Sequence, residues 1–118
     1  IPAAGQGVMA VEARSDDQET LSLLSFLHDE DVASCIRSER SFLAKVGGDC
    51  KVPAGIYAVP KGEGGIHVEA FIASPDGKKL YRGETDGTVD HAEEAGASIA
   101  EKLLDEGGRE ILEKLSKI

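Results

Sequence analysis

The stretch that most restricts the fold is "GIHVEAFIAS", residues 65–74, in which apolar and polar residues alternate. A period of two is typical of a strand with one buried face. Shorter β-type runs come before it, "KVPAGIYAV", and after it, "KKLYRGET", with Pro-Asp-Gly as a strong turn signal and "PKGEGG" as a looser turn. Three strands joined by short turns predict an antiparallel meander. The predicted buried side of the middle strand comprises Ile66, Val68, Ala70 and Ile72.

Helical periodicity precedes this region. Residues 15–29 predict a helix that begins with a capping box of Ser15 and Gln18. Its apolar stripe comprises Leu21, Leu24 and Leu27 or His28. Residues 29–48 predict a second helix, ended by the pair Gly47-Gly48. The predicted apolar face of this second helix comprises Val32, Cys35, Ile36, Leu43 and Val46.

Helical periodicity returns after the strands. Residues 90–106 predict a long helix that stops at the pair Gly107-Gly108, and residues 109–118 predict a short one. The apolar face of the long helix comprises Ala92, Ala95, Ile99 and Leu103. Helices grouped beside an antiparallel sheet predict an α+β layer fold.

The totals limit the class of protein. A chain of 118 residues suits one domain. A net charge of −9 with scattered basic residues argues against binding nucleic acid or a membrane surface. No apolar run approaches the roughly 20 residues of a membrane span. Two cysteines suggest no disulfide framework, which favours a reducing, cytosolic compartment.

The chain begins "IPAAGQGVMAVEAR", without an initiator methionine. Val8 to Ala13 predict a strand that has no neighbouring strand nearby in the sequence. We therefore expect a piece of a longer protein that begins within a fold. "GQG" at residues 5–7 lacks the rest of a phosphate-loop motif, so a tight turn or hinge is the expected role.

A cysteine lies in a glycine-rich loop after the second helix: Cys50, in "VGGDCKVPAG". A thiol in a polar loop is a candidate for reactivity, whereas Cys35, on the helix stripe, is expected to pack in the core. The carboxyl end of the helix disfavours a thiolate and Lys51 favours one, so the balance stays open. A loop cysteine without a role is the alternative.

No catalytic or metal-binding pattern accompanies Cys50. Nucleophilic catalysis would need a base, and His28, His67 and His91 follow no spacing typical of one. The cysteines and histidines also match no zinc spacing, so we expect no metal site. The histidines are expected at the surface or partly packed.

Glu39 occupies a stripe position on the second helix, and Arg40 follows it. Burial of an unpaired carboxylate is costly. A structural ion pair or a position at the helix edge is therefore the favoured interpretation. The alternative is a polar network under the Cys50 loop.

Four stretches, in order, resemble the carboxy-terminal part of the porphobilinogen deaminase (hydroxymethylbilane synthase) family. They are "IPAAGQGVMAVEAR", "SERSFLAKVGGDCKVPAGIYA", "DGKKLYRGE" and "GGREIL". The most specific element is the E-R-x-F-L run, residues 39–43, followed by the cysteine loop and Val52-Pro53. The resemblance covers essentially the whole chain.

The resemblance implies an activity and a cofactor. Family members join four porphobilinogen molecules head to tail, release ammonia at each step and form hydroxymethylbilane. They carry a dipyrromethane cofactor, bound through a thioether to one loop cysteine. By its place in the motif that cysteine is Cys50, with Gly48, Asp49 and Lys51 as the flanking loop. The thiol is then a tether that keeps the growing chain near its next substrate.

The resemblance also implies a domain organisation. Residues 15–118 resemble the third, cofactor-carrying domain, an α+β domain with a three-stranded antiparallel sheet and helices packed on one face. Residues 1–14 resemble the segment that returns from the second domain to the first. The missing N-terminal domains of the same chain would hold the catalytic aspartate and the substrate-binding arginines. We therefore expect no catalytic residue here and no synthase activity from this part alone, with the full enzyme cytoplasmic and monomeric.

One position departs from the family pattern. Family members commonly have Gly-Gly-Cys or Gly-Ser-Cys at the anchor, whereas this chain has Gly48-Asp49-Cys50. The Asp49 carboxylate is expected to raise the pKa of the adjacent thiol, and Lys51 to offset that effect.

Two other functions stay open. Small α+β layer folds also serve as non-catalytic ligand-binding or regulatory modules. In addition, the exposed edge of a strand at residues 8–13 could pair with another copy of the chain.

Overall fold

A computed structural model of the chain describes residues 1, 4–5, 10–47 and 53–116, with side chains described up to residue 113. Two helices precede a three-stranded sheet, and two helices follow it. The helices are α1 (Gln18–Leu24), α2 (Glu30–Val46), α3 (Ala92–Leu103) and α4 (Arg109–Ser116), and the strands are β1 (Ala54–Gly62), β2 (Gly65–Ala73) and β3 (Leu80–Thr88). Short 3-10 turns cover Ser25–Leu27 and Val89–His91, and a wide π-type turn, Leu104–Gly108, separates α3 from α4.

The sheet is the predicted antiparallel meander, with β2 between β1 and β3. The Pro-Asp-Gly turn is held by Asp76, whose Oδ1 accepts hydrogen bonds from Ser74 Oγ and the Lys78 amide. The looser turn is shorter than predicted: β1 continues through Gly62, with a bulge between Pro60 and Gly62. Only Glu63 and Gly64 remain as the turn, both with positive φ.

The core lies between one face of the sheet and the helices α2 and α3. The four alternating residues predicted on β2 are fully buried, which confirms the strand and its face. The predicted apolar face of α3 is confirmed as well, and α2 and α3 contact each other along their lengths. Together these features confirm the α+β class with helices packed on one face of a three-stranded sheet.

The buried face of α2 differs from the prediction. Val32 and Leu43 are exposed and Ile36 is half-buried, whereas Phe42, absent from the predicted face, is among the most buried residues. The helix has two apolar stripes, and the one that contains Cys35, Phe42 and Val46 packs on the sheet. The buried residues of α2 are Ser34, Cys35, Ser38, Glu39, Phe42 and Val46.

The first helix is shorter than predicted and buries no residue. Its cap is Asp17 rather than Ser15, because Asp17 Oδ1 accepts the Thr20 amide at 3.0 Å and Oδ2 accepts the Thr20 hydroxyl at 2.7 Å. The predicted apolar stripe is at most half-buried, because neither the sheet nor α3 packs on it. Its predicted members are Leu21, Leu24 and Leu27 or His28.

The strand predicted at residues 8–13 is not formed in its described part. Residues 10–14 belong to no helix or strand. A strand requires a neighbouring strand for its backbone hydrogen bonds, and the sheet does not extend to this segment. Among the described residues, no helix has the length and apolarity needed to cross a bilayer.

Candidate functional site

The four predicted site residues, Gly48, Asp49, Cys50 and Lys51, lie outside the described residues. The structure describes both ends of the segment that contains them. Gly47 terminates α2 before the segment, and Pro53 leads into β1 after it. Gly47 and Pro53 are therefore the described boundaries of the candidate loop.

The helix flank is firmly packed. Phe42 and Val46, in the last turns of α2, are buried in the core. Gly47 ends the helix with φ of 104°, a left-handed conformation that glycine adopts without steric cost, and its amide donates to the Leu43 carbonyl. Lys45 Nζ lies 3.1 Å from Glu101 Oε1 and joins the end of α2 to α3. The chain thus leaves α2 from a defined position.

The strand flank is held by the sheet. The Pro53 carbonyl accepts a hydrogen bond from the Ala73 amide at 2.8 Å, immediately before the β1–β2 ladder begins at Ala54 and Ile72. Ile56, two residues further along β1, is fully buried. Both ends of the candidate loop are therefore fixed by the same core.

Glu39 is a buried carboxylate on the packed face of α2, with 5 % of its surface exposed. Its Oε1 accepts the Gly5 amide at 2.8 Å and its Oε2 accepts the Ala58 amide at 3.4 Å. Burial raises the pKa of Glu39, and the two amide hydrogen bonds oppose that rise. The predicted helix-edge position is wrong, and Glu39 forms no ion pair with the residues that the structure describes. The carboxylate instead forms a polar network with backbone amides, because β1 and the turn at Gly5 bring them to it.

The turn at Ala4 and Gly5 is the described part of the tight turn predicted at "GQG". Gly5 has φ of 72°, which suits glycine. Its hydrogen bond to Glu39 fastens this turn to α2 across 34 residues of sequence. The predicted turn is confirmed at Gly5.

Cys35 is a core residue, as predicted, with 5 % of its surface exposed. Burial raises the pKa of its thiol, and the negative charges of Glu39, Asp31 and Asp29 add to the rise. A thiol in such surroundings is a poor nucleophile. The structure therefore removes one of the chain's two cysteines from the candidates for covalent chemistry.

The three histidines lie outside the core, as predicted. His28 pairs with Glu30 at 2.9 Å, and His91 pairs with Glu94 at 3.3 Å. His67 lies on the face of the sheet turned away from α2 and α3, and is half-buried among acidic side chains.

The acidic group around His67 was not predicted from the sequence. Glu69 follows it by two residues on β2, and Glu84 and Asp86 occupy paired positions on β3. The alternation of "IHVEA" gave a partial signal, because it predicts that His67 and Glu69 share a face. The contribution of β3 depends on strand register, which the spacing did not determine.

Comparison with known proteins agrees with this architecture. Residues 33–105 match the family model described as "Porphobilinogen deaminase, C-terminal domain". The chain is 43 % identical over 117 residues to a porphobilinogen deaminase of Staphylococcus saprophyticus, with 99 % of this chain and 37 % of the relative covered. It is 46 % identical over 112 residues to that of Syntrophomonas wolfei, with 95 % and 36 % covered.

A porphobilinogen deaminase of Staphylococcus aureus strain Newman is 39 % identical over 117 residues, with 99 % of this chain and 37 % of the relative covered. The chain thus spans little more than a third of the length of these curated relatives. The family model matches well over half of the chain and covers most of α2, the whole sheet and α3. The chain belongs to the porphobilinogen deaminase family, as its C-terminal domain.

Proposed function

We propose that this chain is the cofactor-carrying part of an enzyme that joins four porphobilinogen molecules into hydroxymethylbilane with release of ammonia. In this proposal Cys50 binds a dipyrromethane through a thioether, and Gly48, Asp49 and Lys51 form the flanking loop. Family membership supports the activity of the whole protein. The matched range, residues 33–105, includes the cysteine loop, which supports the position of the anchor.

The burial of Cys35 is the observation that carries the anchor proposal. A thioether needs one sulfur nucleophile, and the chain has only Cys35 and Cys50. The Cys35 side chain is enclosed by the core, with its pKa raised, so a group of two pyrrole rings has no room there. The residues therefore fit the group, with Cys50 as the thiol that would hold it.

The rest of the chain would restrict where the anchor lies. When bound, the dipyrromethane supplies the pyrrole end to which porphobilinogen units are joined. The packing of Val46 and the hydrogen bond to the Pro53 carbonyl fix the two ends of the loop. Covalent attachment between two fixed ends keeps a bound group close to its site, which raises its effective concentration.

The remaining domains of the same chain are proposed as partners. Residues 1–14 are assigned to them and residues 15–118 to the cofactor-carrying domain, in a monomeric, cytoplasmic enzyme. The coverage of 37 % of the relatives supports further domains. The net charge of −9 supports the assignment of substrate binding to the other domains, because this chain lacks a basic excess to bind the carboxylates of porphobilinogen.

A turnover assay tests whether the catalytic groups lie in the other domains. We expect the purified chain to form no tetrapyrrole from porphobilinogen, whereas the full-length protein does. Measurable product from the chain alone would contradict the assignment of the catalytic groups to the other domains.

Intact mass spectrometry tests the anchor. We expect the full-length protein to carry extra mass equal to a dipyrromethane, which Cys35→Ser retains and Cys50→Ser loses. A bare full-length protein, or extra mass that survives Cys50→Ser, would overturn the proposal. The same measurement on the 118-residue chain then separates loading by this domain alone from loading that needs the others.

A further inference from the structure

We propose that His67, Glu69 and Glu84 form a binding site for a divalent cation of the Zn²⁺ class. The site lies on the outer face of the sheet, defined here as the face turned away from α2 and α3. It does not rest on the proposed function. The register of the strands, the separations of the ligand atoms and the charges around them all favour a bound cation there.

Strand register brings the three side chains together. His67 and Glu69 lie two residues apart on β2, so both point to the outer face, while Val68 between them is fully buried. Glu84 is directly opposite Glu69 on β3, and Asp86 is directly opposite His67. The pairing of β2 with β3 thus gives the ligands a rigid base.

The separations of the ligand atoms suit a tetrahedral ion. His67 Nε2 lies 3.6 Å from Glu69 Oε1 and 3.4 Å from Glu84 Oε2. One ligand atom from each residue falls within 4.8 Å of the other two. Zinc–ligand bonds of about 2.0–2.1 Å at tetrahedral angles separate neighbouring ligand atoms by roughly 3.3–3.4 Å. The two separations from His67 Nε2 are therefore close to those of a tetrahedral zinc site.

Asp86 orients the imidazole for this role. Its Oδ1 lies 2.6 Å from His67 Nδ1, and Lys61 Nζ lies 2.7 Å from its Oδ2. The Asp86 carboxylate, held by Lys61, accepts the Nδ1 proton of the ring. Nε2 of the neutral ring then faces the two glutamates. A carboxylate that fixes the ring of a metal-binding histidine in this way is a common feature of zinc sites.

The charges around the site also favour a cation. Glu69 and Glu84 are like charges directly opposite each other across two strands, an arrangement that is destabilising without a positive charge between them. Arg82 Nη2 lies 3.6 Å from Glu69 Oε2 and leaves Oε1 for a ligand bond. A divalent cation held between the two carboxylates would remove this repulsion.

The ligand types select the class of ion. Imidazole with two carboxylates suits Zn²⁺, whereas Mg²⁺ and Ca²⁺ prefer oxygen ligands alone. Three protein ligands leave the fourth position for water, and Glu84, with 67 % of its side chain exposed, lies on the solvent side.

Titration calorimetry with ZnCl₂ tests the site, on the untagged chain in a Cys50→Ser background because free thiols bind zinc. We expect about one Zn²⁺ per chain, unaffected by millimolar Mg²⁺. His67→Gln and Glu84→Gln should each weaken binding at least tenfold, and Asp86→Asn about tenfold through loss of ring orientation. His91→Gln is the matched control and should bind as the parent does. His91 also pairs with a carboxylate, but it belongs to no three-ligand group among the residues that the structure describes.

Histidine NMR signals provide a second readout that does not depend on the variants' folding. We expect Zn²⁺ to shift the ring resonances of His67 and to leave those of His28 and His91 in place. Absence of zinc uptake by the parent, unchanged uptake by His67→Gln, or shifts confined to the other histidines would each overturn the proposal.

Discussion

Gly96 of α3 lies against the backbone of Ser38 of α2, so closely that a Cβ at position 96 would stand 1.9 Å from the Ser38 carbonyl oxygen. The two helices that cover the sheet therefore meet at a glycine. Because the facing atom is backbone, it cannot move aside as a side chain could. This contact sets how closely α2 approaches α3.

Gly96→Ala is accordingly expected to destabilise the fold. Separation of α2 from α3 should cost about 3 kcal/mol, at the upper end of the range for overpacked cores. Urea unfolding followed by circular dichroism measures the change. Gly83→Ala is the matched control, because a Cβ there would make ordinary contacts of 3.5 Å with Leu103, and we expect it to cost less than about 1 kcal/mol. Equal effects of the two variants would contradict the close approach.

A substitution at Ser38 is expected to stabilise the fold. Its Oγ is buried and has no hydrogen-bond partner among the described residues. Removal of a buried, unsatisfied hydroxyl should stabilise the fold, so Ser38→Ala is expected to raise the free energy of unfolding by up to about 1 kcal/mol. Ser34→Ala is the control: Ser34 Oγ donates to the Glu30 carbonyl at 2.8 Å and lies 2.9 Å from Arg37 Nη2. The control should lower stability, and a loss in both variants would refute the prediction for Ser38.

The buried carboxylate of Glu39 predicts a pH dependence. Its pKa in the folded state is raised above the ordinary value of 4.5, so the folded protein retains this proton at a pH where the unfolded chain has lost it. Its contribution to stability is therefore complete below about pH 4.5 and falls as the pH rises through the folded-state pKa.

Comparison with Glu39→Gln isolates this effect from the other titrating groups. As the pH rises from 4 to 8, the stability of the variant relative to the parent should increase and then become constant. Urea unfolding at each pH supplies both values. If the difference in free energy of unfolding between variant and parent stays constant, or changes in favour of the parent as the pH rises, burial does not dominate the titration of Glu39.

The burial of Cys35 predicts a protected thiol. In a Cys50→Ser background, iodoacetamide should leave the native chain unmodified and should alkylate it once in urea, because only unfolding exposes the thiol and restores its ordinary pKa. Mass spectrometry over a time course measures the reaction. Rapid modification of the native chain would mean that the core opens around Cys35.

The first helix is expected to be the least stable of the elements described. It buries no residue, and Leu23 within it and Phe26 just after it are largely exposed. Local opening therefore costs little, and its amides should exchange with deuterium much faster than those of α2 and α3. Hydrogen exchange read by mass spectrometry resolves these segments. Similar protection in α1 and α3 would contradict this ranking.

Elements in which the apolar residues form a single periodic stripe could be predicted from the sequence. The alternation around Val68 and the helical spacing around Ile99 each leave one face to bury, and both faces are buried in the fold. The α2 helix has two apolar stripes, one through Val32 and Ile36 and the other through Phe42 and Val46. Local periodicity does not distinguish which of the two stripes is buried. Packing against the sheet buries the second one.

The candidate site likewise has one part that the sequence predicts and another part that it does not. Cys50 could be singled out along the chain, because a thiol in a glycine-rich loop and the motif around it are local features. The environment of Glu39 could not, because its hydrogen-bond donors at Gly5 and Ala58 are 34 and 19 residues away. The group around His67 likewise depends on the pairing of β2 with β3.

Short-range preferences of the backbone and side chains thus determined the order of elements, the meander and the glycine stops, since each depends on residues a few positions apart. The tertiary structure decided which stripe of α2 is buried, that α1 stays uncovered, and which carboxylates meet His67. These outcomes depend on contacts between residues distant in sequence, whose energies exist only once the sheet and helices have packed together.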